Sequence, residues 1–296
     1  MADAISDGAV AAPSARLRPY IAHYSGYRLA GVEPGRHRGL PSPYLTLILT
    51  LDDPLMLAAH PDPSQQPASY DALVGGLHTR PATIVHDGRQ SGVQVSLHPL
   101  GAPVLLGVPA GELAGADLPL DAVLGAAAEP LRATLLEEPT WPARFRRLNR
   151  AFEQLMDGGP GRSRVDRAGR DTPELAEAWR LLRRTGGRIA VRDLAHHVGW
   201  GERHLLDRFR RDVGLTPSQV ARVVRFDLAR RRLFGTARSG ALPCLADLAA
   251  DHGYFDQAHL AREFRDLAGC SPTRLLAEEL RFVQASPWPG DEDLVP

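Results

Sequence analysis

Residues 191–217 read VRDLAHHVGWGERHLLDRFRRDVGLTP, and residues 245–272 read LADLAADHGYFDQAHLAREFRDLAGCSP. With one residue inserted after Tyr254, the two stretches share Asp193/Asp247, Leu194/Leu248, Ala195/Ala249, Gly199/Gly253, His204/His259, Leu205/Leu260, Phe209/Phe264, Arg210/Arg265, Gly214/Gly269 and Pro217/Pro272. Each copy predicts two short helices joined by a turn. Ala195 and Ala249 are small enough for two helices to cross closely. Gly199 and Gly253 can take the left-handed backbone a tight turn needs. Leu205 and Phe209, like Leu260 and Phe264, lie four apart and share one helix face. One small-x-x-x-Gly spacing is weak evidence, but two copies with the same anchors predict a pair of helix-turn-helix units. A generic repeated helical hairpin is the competing reading.

Outward from the repeat, the spacer Pro217 to Leu233 reads PSQVARVVRFDLARRRL, with Val220, Val223, Val224, Leu228 and Leu233 as an apolar stripe. That predicts one linking helix of roughly 25 Å at 1.5 Å per residue. Upstream, Thr172 is a candidate N-cap with Pro173 at the first helical position, and the helix should stop at Gly186-Gly187. Asp157 to Pro173, DGGPGRSRVDRAGRDTP, lacks apolar periodicity and reads as a linker. Ser286 to Pro296 carries three Pro and three acids and reads as a disordered tail. Before the linker, strand signals come first: Tyr44–Leu51, Leu73-Val74, Thr83–Val85 and Val93–Leu97, with Gly and Pro between them. Helical patterns follow at Leu118–Leu124, Leu131–Glu138 and Trp141–Met156. The last places Phe145, Leu148, Phe152 and Leu155 on one face. That face could pair with a second subunit or pack on its own barrel.

The expected fold class is therefore α+β in two domains. A β-rich, barrel-like amino-terminal domain with trailing helices precedes an all-α domain of two helix-turn-helix units and a linking helix. The expected divisions are 1–157, a candidate sensor or dimerisation domain; 158–173, the linker; 174–285, the helical domain; and 286–296, the tail.

The chain has 296 residues with 44% apolar and 24% charged, which excludes a disordered chain, a collagen-like repeat and a disulfide scaffold. Only Cys244 and Cys270 are present, so reduced thiols and a cytoplasmic setting are expected. No basic leader precedes an apolar run, and no apolar stretch is long enough to span a bilayer, so no membrane partner is expected. The net charge is zero, but it is unevenly placed. Residues 1–157 hold 12 Arg against 16 acids, 158–170 hold 4 Arg against 1, and 171–285 hold 19 Arg against 15. The basic excess thus begins at the linker. All 35 basic residues are Arg, which suits phosphate and guanine recognition, though codon bias explains the missing Lys equally well.

The helical half resembles the AraC/XylS family of transcription regulators over about residues 174–285. The resemblance rests on the paired helix-turn-helix, on Arg225-Phe226-Asp227-Leu228-Ala229 in the linking helix, and above all on Gly253-Tyr254-Phe255-Asp256-Gln257-Ala258-His259-Leu260-Ala261-Arg262-Glu263-Phe264-Arg265. Gly201 and Ala190 stand where the family often has capping hydroxyl residues. The resemblance implies a sequence-specific regulator of double-stranded DNA. Its recognition helices, near 201–210 and 256–265, would enter successive major grooves about one turn, roughly 34 Å, apart. It places base readers at Arg203, Leu206 and Asp207, and in the second copy at Gln257, Ala258 and Arg262. Arg203 and Arg262 would read guanine, Asp207 cytosine, Gln257 adenine and Leu206 a thymine methyl. Arg210 and Arg265 would touch phosphate or simply solvate the face. Asp207 could instead pair with Arg203 or Arg211 four residues away. The recurring His204 and His259 invite a metal reading, but no Cys or Asp recurs with metal spacing, so no metal and no cofactor is expected.

The stretch from Gly75 to Pro109 loosely resembles sensor domains attached to this DNA-binding module. His23, His37, His60, His78, His86 and His98 lie in the first half without an H-x-H pair, and no G-x-S-x-G elbow or phosphate-binding glycine loop accompanies them. No catalytic residue is therefore assigned, and the chain is not expected to be an enzyme. A small-molecule enzyme with a fused regulatory helical domain is the alternative. The expected partners are double-stranded DNA, a small-molecule effector, a second copy of the chain, and RNA polymerase if the regulator activates. A DNA-bending structural protein is a third option.

Overall fold

A computed structural model describes residues 5–158 and 173–285. The expected linker, apart from Gly158 and Pro173, the expected cap Thr172 and the expected tail 286–296 lie outside the described residues.

The first half is built on two antiparallel sheets. The six-stranded sheet runs β1(Ile5–Ala11), β2(Ile21–Ala30), β9(Gln90–Leu97), β4(Leu45–Thr50), β7(Ala72–Gly75), β10(Asp117–Pro119). The four-stranded sheet runs β3(Gly35–Gly39), β8(Ala82–His86), β5(Leu55–Ala59), β6(Ala68–Tyr70). Ile48 and Leu73 of the first sheet pack with Leu55, Leu57 and Ile84 of the second. The long strand β2 carries polar residues among its apolar ones. His23 is buried, and its Nε2 lies 3.2 Å from Ser96 Oγ of β9 across the sheet.

Helices α1(Ala102–Leu105), α2(Leu120–Leu124), α3(Ala128–Leu136) and α4(Trp141–Gly158) follow. The helix expected from Leu118 begins only at Leu120. Asp117–Pro119 is instead a strand paired with Leu73–Gly75, because pairing at the sheet edge gives its backbone partners that one more helical turn would have to replace. Phe145, Leu148 and Phe152 of α4 are buried against the same chain. Tyr24 stacks on Phe145 at 5.8 Å, Trp141 Nε1 donates to Asp7 Oδ2 at 2.9 Å, and Asn149 Oδ1 accepts from Ser14 N–H at 2.9 Å. Of the two uses open to this apolar face, packing on its own barrel is the one realised.

The second half is all helix: α5(Pro173–Arg184), α6(Val191–His197), α7(Glu202–Asp212), α8(Pro217–Arg238), α9(Leu245–Asp251), α10(Gln257–Ala268) and α11(Pro272–Ala285). One continuous apolar core runs through both halves. Polar clasps add to it. Arg38 of β3 pairs with Glu278 at 2.6 Å and Glu279 at 2.9 Å on α11, and Arg183 donates to Tyr44 Oη at 2.8 Å. Cys244 is exposed, Cys270 is buried, and both are free thiols. Among the described residues no helix is long and apolar enough to cross a membrane.

Candidate nucleic-acid interface

The two copies of the repeat fold alike. α6 and α7 meet through Ala195, Leu205 and Phe209, all buried; α9 and α10 meet through Ala249, Leu260 and Phe264. Gly199 and Gly253 both sit at φ +73°, the left-handed turn that their chain positions required. The recurring histidines have a packing explanation. The His204 ring stands perpendicular to Trp200 at 4.7 Å, and the His259 ring stands perpendicular to Tyr254 at 5.3 Å. Each is an edge contact between the turn and the helix that follows it. Among the described residues no three metal-ligating side chains gather.

The linking helix α8 is longer than its apolar stripe alone suggested. At 22 residues it spans roughly 33 Å. A reciprocal cap starts it: Thr216 Oγ1 accepts from Gln219 N–H at 3.2 Å, and Gln219 Oε1 accepts from Thr216 N–H at 2.9 Å. Its apolar side buries Val220, Val223, Phe226 and Leu233. The Phe226 and Phe264 rings meet edge-to-face at 4.9 Å, and Arg222 bridges Glu263 and Asp266 at about 3 Å. α10 is thereby joined to the strut through Phe264, Glu263 and Asp266.

Arg203, Asp207 and Arg210 on α7 are exposed and Leu206 is half-buried. Gln257, Ala258, Arg262 and Arg265 on α10 are exposed. Among the described residues Asp207 does not pair with Arg203 or Arg211; the Arg211 guanidinium lies 3.0 Å from Asp212 instead. Ala190 and Gly201 provide no side-chain cap for α6 and α7, whereas Asp256 Oδ1 accepts from His259 N–H at 2.6 Å and caps α10.

Two features escaped the sequence. First, the amino-terminal half abuts the carboxyl end of α7. A Cβ placed on Gly111 would lie 2.1 Å from the Arg211 carbonyl oxygen, so only glycine admits this approach. Second, the strut carries a buried ion cluster. Asp227 accepts from Arg231 Nε at 2.7 Å and from Arg230, and all three residues are buried. Burial pushes the Asp227 carboxyl up, yet the Arg231 and Arg230 guanidiniums hold it below its ordinary value. Beside them, a cavity of about 220 Å³ opens between the facing sheets and the helical half. Barrel residues His37, Gln90 and Gln94 line it, together with Arg230 and Phe234 of the strut and Glu279 of α11. Burial drives His37 down to about 4, so its neutral Nε2–H donates to Gln90 Oε1 at 3.0 Å. The Gln90 amide nitrogen is buried without a hydrogen-bond partner.

Residues 194–278 match the family model of a helix-turn-helix domain, and residues 9–119 match that of a domain of unknown function, DUF6597. No curated protein matches the chain. Among solved structures, ToxT from Vibrio cholerae is 10% identical at a TM-score of 0.48, covering 86% of this chain and 97% of that one. An unsaturated fatty acid-bound ToxT from Vibrio cholerae strain SCE256 is 8% identical at a TM-score of 0.47, covering 93% and 97%. The AraC-like transcriptional activator CuxR is 13% identical at a TM-score of 0.29, covering 79% and 88%.

Proposed function

We propose that the chain is an AraC-type regulator of transcription, that its helix-turn-helix domain binds duplex DNA, and that α7 and α10 read two successive major grooves from one face of the duplex. The observation that carries this reading is the repeated geometry. Each recognition helix buries its Leu and Phe anchors and turns Arg203, Asp207 and Arg210, or Gln257, Arg262 and Arg265, to solvent. A strut of roughly 33 Å approximates one DNA turn. Arg203 and Arg262 read guanine, Asp207 cytosine, Gln257 adenine, and Leu206 and Ala258 make apolar contacts, while Arg210 and Arg265 meet phosphate. The DNA-binding unit is assigned to 174–285 and the regulatory unit to 1–157, acting in the cytoplasm. Selection of binding sites from a random duplex pool by the full chain tests this. Two conserved half-sites about 10 base pairs apart are expected; a single short motif contradicts it.

The regulatory unit responds to a small-molecule effector, a reading supported by the cavity. Any occupant would touch barrel residues together with Arg230 and Phe234 of the strut, so its binding free energy would depend on how the two halves sit. Screening metabolite fractions by thermal shift tests it, with raised melting and altered operator affinity as the expected pair. A homodimer would use a surface other than the buried face of α4, which sedimentation of the full chain checks. RNA polymerase is the further partner if the regulator activates.

A further inference from the structure

The two helix-turn-helix units differ by one inserted residue, and that residue is Phe255. It is 93% exposed, although every other Phe of the repeat and strut is buried or nearly so. Among the described large apolar side chains only Leu242, in the loop between α8 and α9, is as open. The backbone beneath Phe255 is held from two sides. Its N–H donates to His259 Nδ1 at 3.3 Å, and the His259 N–H donates to Asp256 Oδ1 at 2.6 Å. His259 is wedged edge-on against Tyr254, whose ring is buried. The first unit has no counterpart: Trp200 passes directly to Gly201 and α7. An aromatic ring thus stands in water on a held stretch of backbone, two residues before Gln257 at the start of α10.

We propose that Phe255 is a specificity-determining residue of the second half-site, packing its ring against the C5-methyl group of a thymine in the major groove. The proposal rests on DNA binding by this face. A methyl group is the one apolar feature that a base edge offers there, and it distinguishes thymine from every other base. The insertion also explains why the second unit would read an apolar step at the start of its helix while the first, which passes from Trp200 straight to Gly201, would not. Leu242 carries no such argument, because its loop leads into α9 and not into either of the proposed recognition helices.

The test measures binding of the full chain to its selected operator by fluorescence anisotropy. Phe255→Ala and a scan replacing each thymine of the second half-site by uracil, which lacks only the methyl, are combined. The ring is exposed in the free protein, so Phe255→Ala keeps the melting temperature of the parent, which confirms that any loss is at the interface. The expected result is a loss of about tenfold for Phe255→Ala, from the apolar area of the ring. At one position, uracil should weaken the parent about fourfold, as for one buried methyl, and leave Phe255→Ala unchanged. Phe255→Leu should keep most of the thymine preference. Affinity within twofold of the parent, or an equal loss on thymine and uracil operators at every position, overturns the assignment. Failure of the parent chain itself to bind any selected duplex would instead strike the DNA-binding reading.

Discussion

Asp227→Asn removes one charge from the middle of the strut and leaves its shape. Asp227 is 3% exposed and takes hydrogen bonds from two guanidiniums at i+3 and i+4. Arg230 and Arg231 are buried as well. The asparagine would offer a single neutral oxygen, and its amide N–H groups would face donors. Breaking a buried ion pair from one side costs about 3–5 kcal/mol, because the remaining charge stays buried. For a chain of this size that corresponds to a melting temperature lower by about 6–15 °C. Replacing the whole cluster, as Asp227→Leu with Arg230→Met and Arg231→Met, should recover most of that loss, since well-packed apolar residues rival a buried ion pair. Urea and thermal melts of the full chain at neutral pH read both variants. A single variant within about 1 kcal/mol of the parent would refute the claim that the cluster is tightly coupled. A triple variant as unstable as the single would refute the claim that the unpaired charge, rather than lost packing, is what costs.

Other outcomes follow from the same geometry. Arg203→Ala should weaken operator binding by about 1–3 kcal/mol and relax preference at one base pair, read by repeating site selection with the variant; unchanged preference removes that assignment. Phe209→Ala leaves a cavity in the first helix-turn-helix and should cost about 3–5 kcal/mol in urea melts. Burial lowers His23 and His37 to about 4 and His98 to about 3, so all three are neutral in the fold at neutral pH. Their folded values lie below the ordinary 6.5, so their neutral forms are tolerated at full stability above pH 6.5 and stability falls as pH drops from 6.5 toward 4. Together they should remove roughly 5 kcal/mol between pH 7 and pH 5; a flat stability profile over that range contradicts their burial. Gly111→Val should push the amino-terminal half off the end of α7 and lower the melting temperature, whereas a normal melt would mean that the loop yields.

The helical half was legible because repetition tests itself. A Leu–Phe spacing of four could arise by chance once, but its return with Ala249, Gly253 and His259 in step fixed the helices, the turn and the buried faces together. The recurring histidine was visible without its reason, since Trp200 and Tyr254 are different residue types in one role. The barrel half was only partly legible. β4 and β9 announce themselves by dense apolar residues. β2 does not, because His23, Ser25 and Gly26 interrupt it; the first two are buried polar residues, and Gly26 makes room for the Trp141 ring, whose nearest atom would lie 2.3 Å from an added Cβ. β10 reads as the start of a helix, since three residues carry too little pattern to oppose it. The contacts between the halves had no local signal at all. Arg38 and Glu279 are 241 positions apart, and Gly111 looks like any loop glycine until the carbonyl of Arg211 is placed beside it.

The central claim is that one rigid strut sets the distance between two groove-reading helices. Operators in which the spacing between the two half-sites is lengthened by five or by ten base pairs test it directly, in anisotropy titrations of the full chain at fixed salt. A strut of fixed length predicts that both insertions reduce affinity to that of one half-site alone, even though ten base pairs restore the face of the duplex. Binding that survives either insertion at full strength would contradict the account.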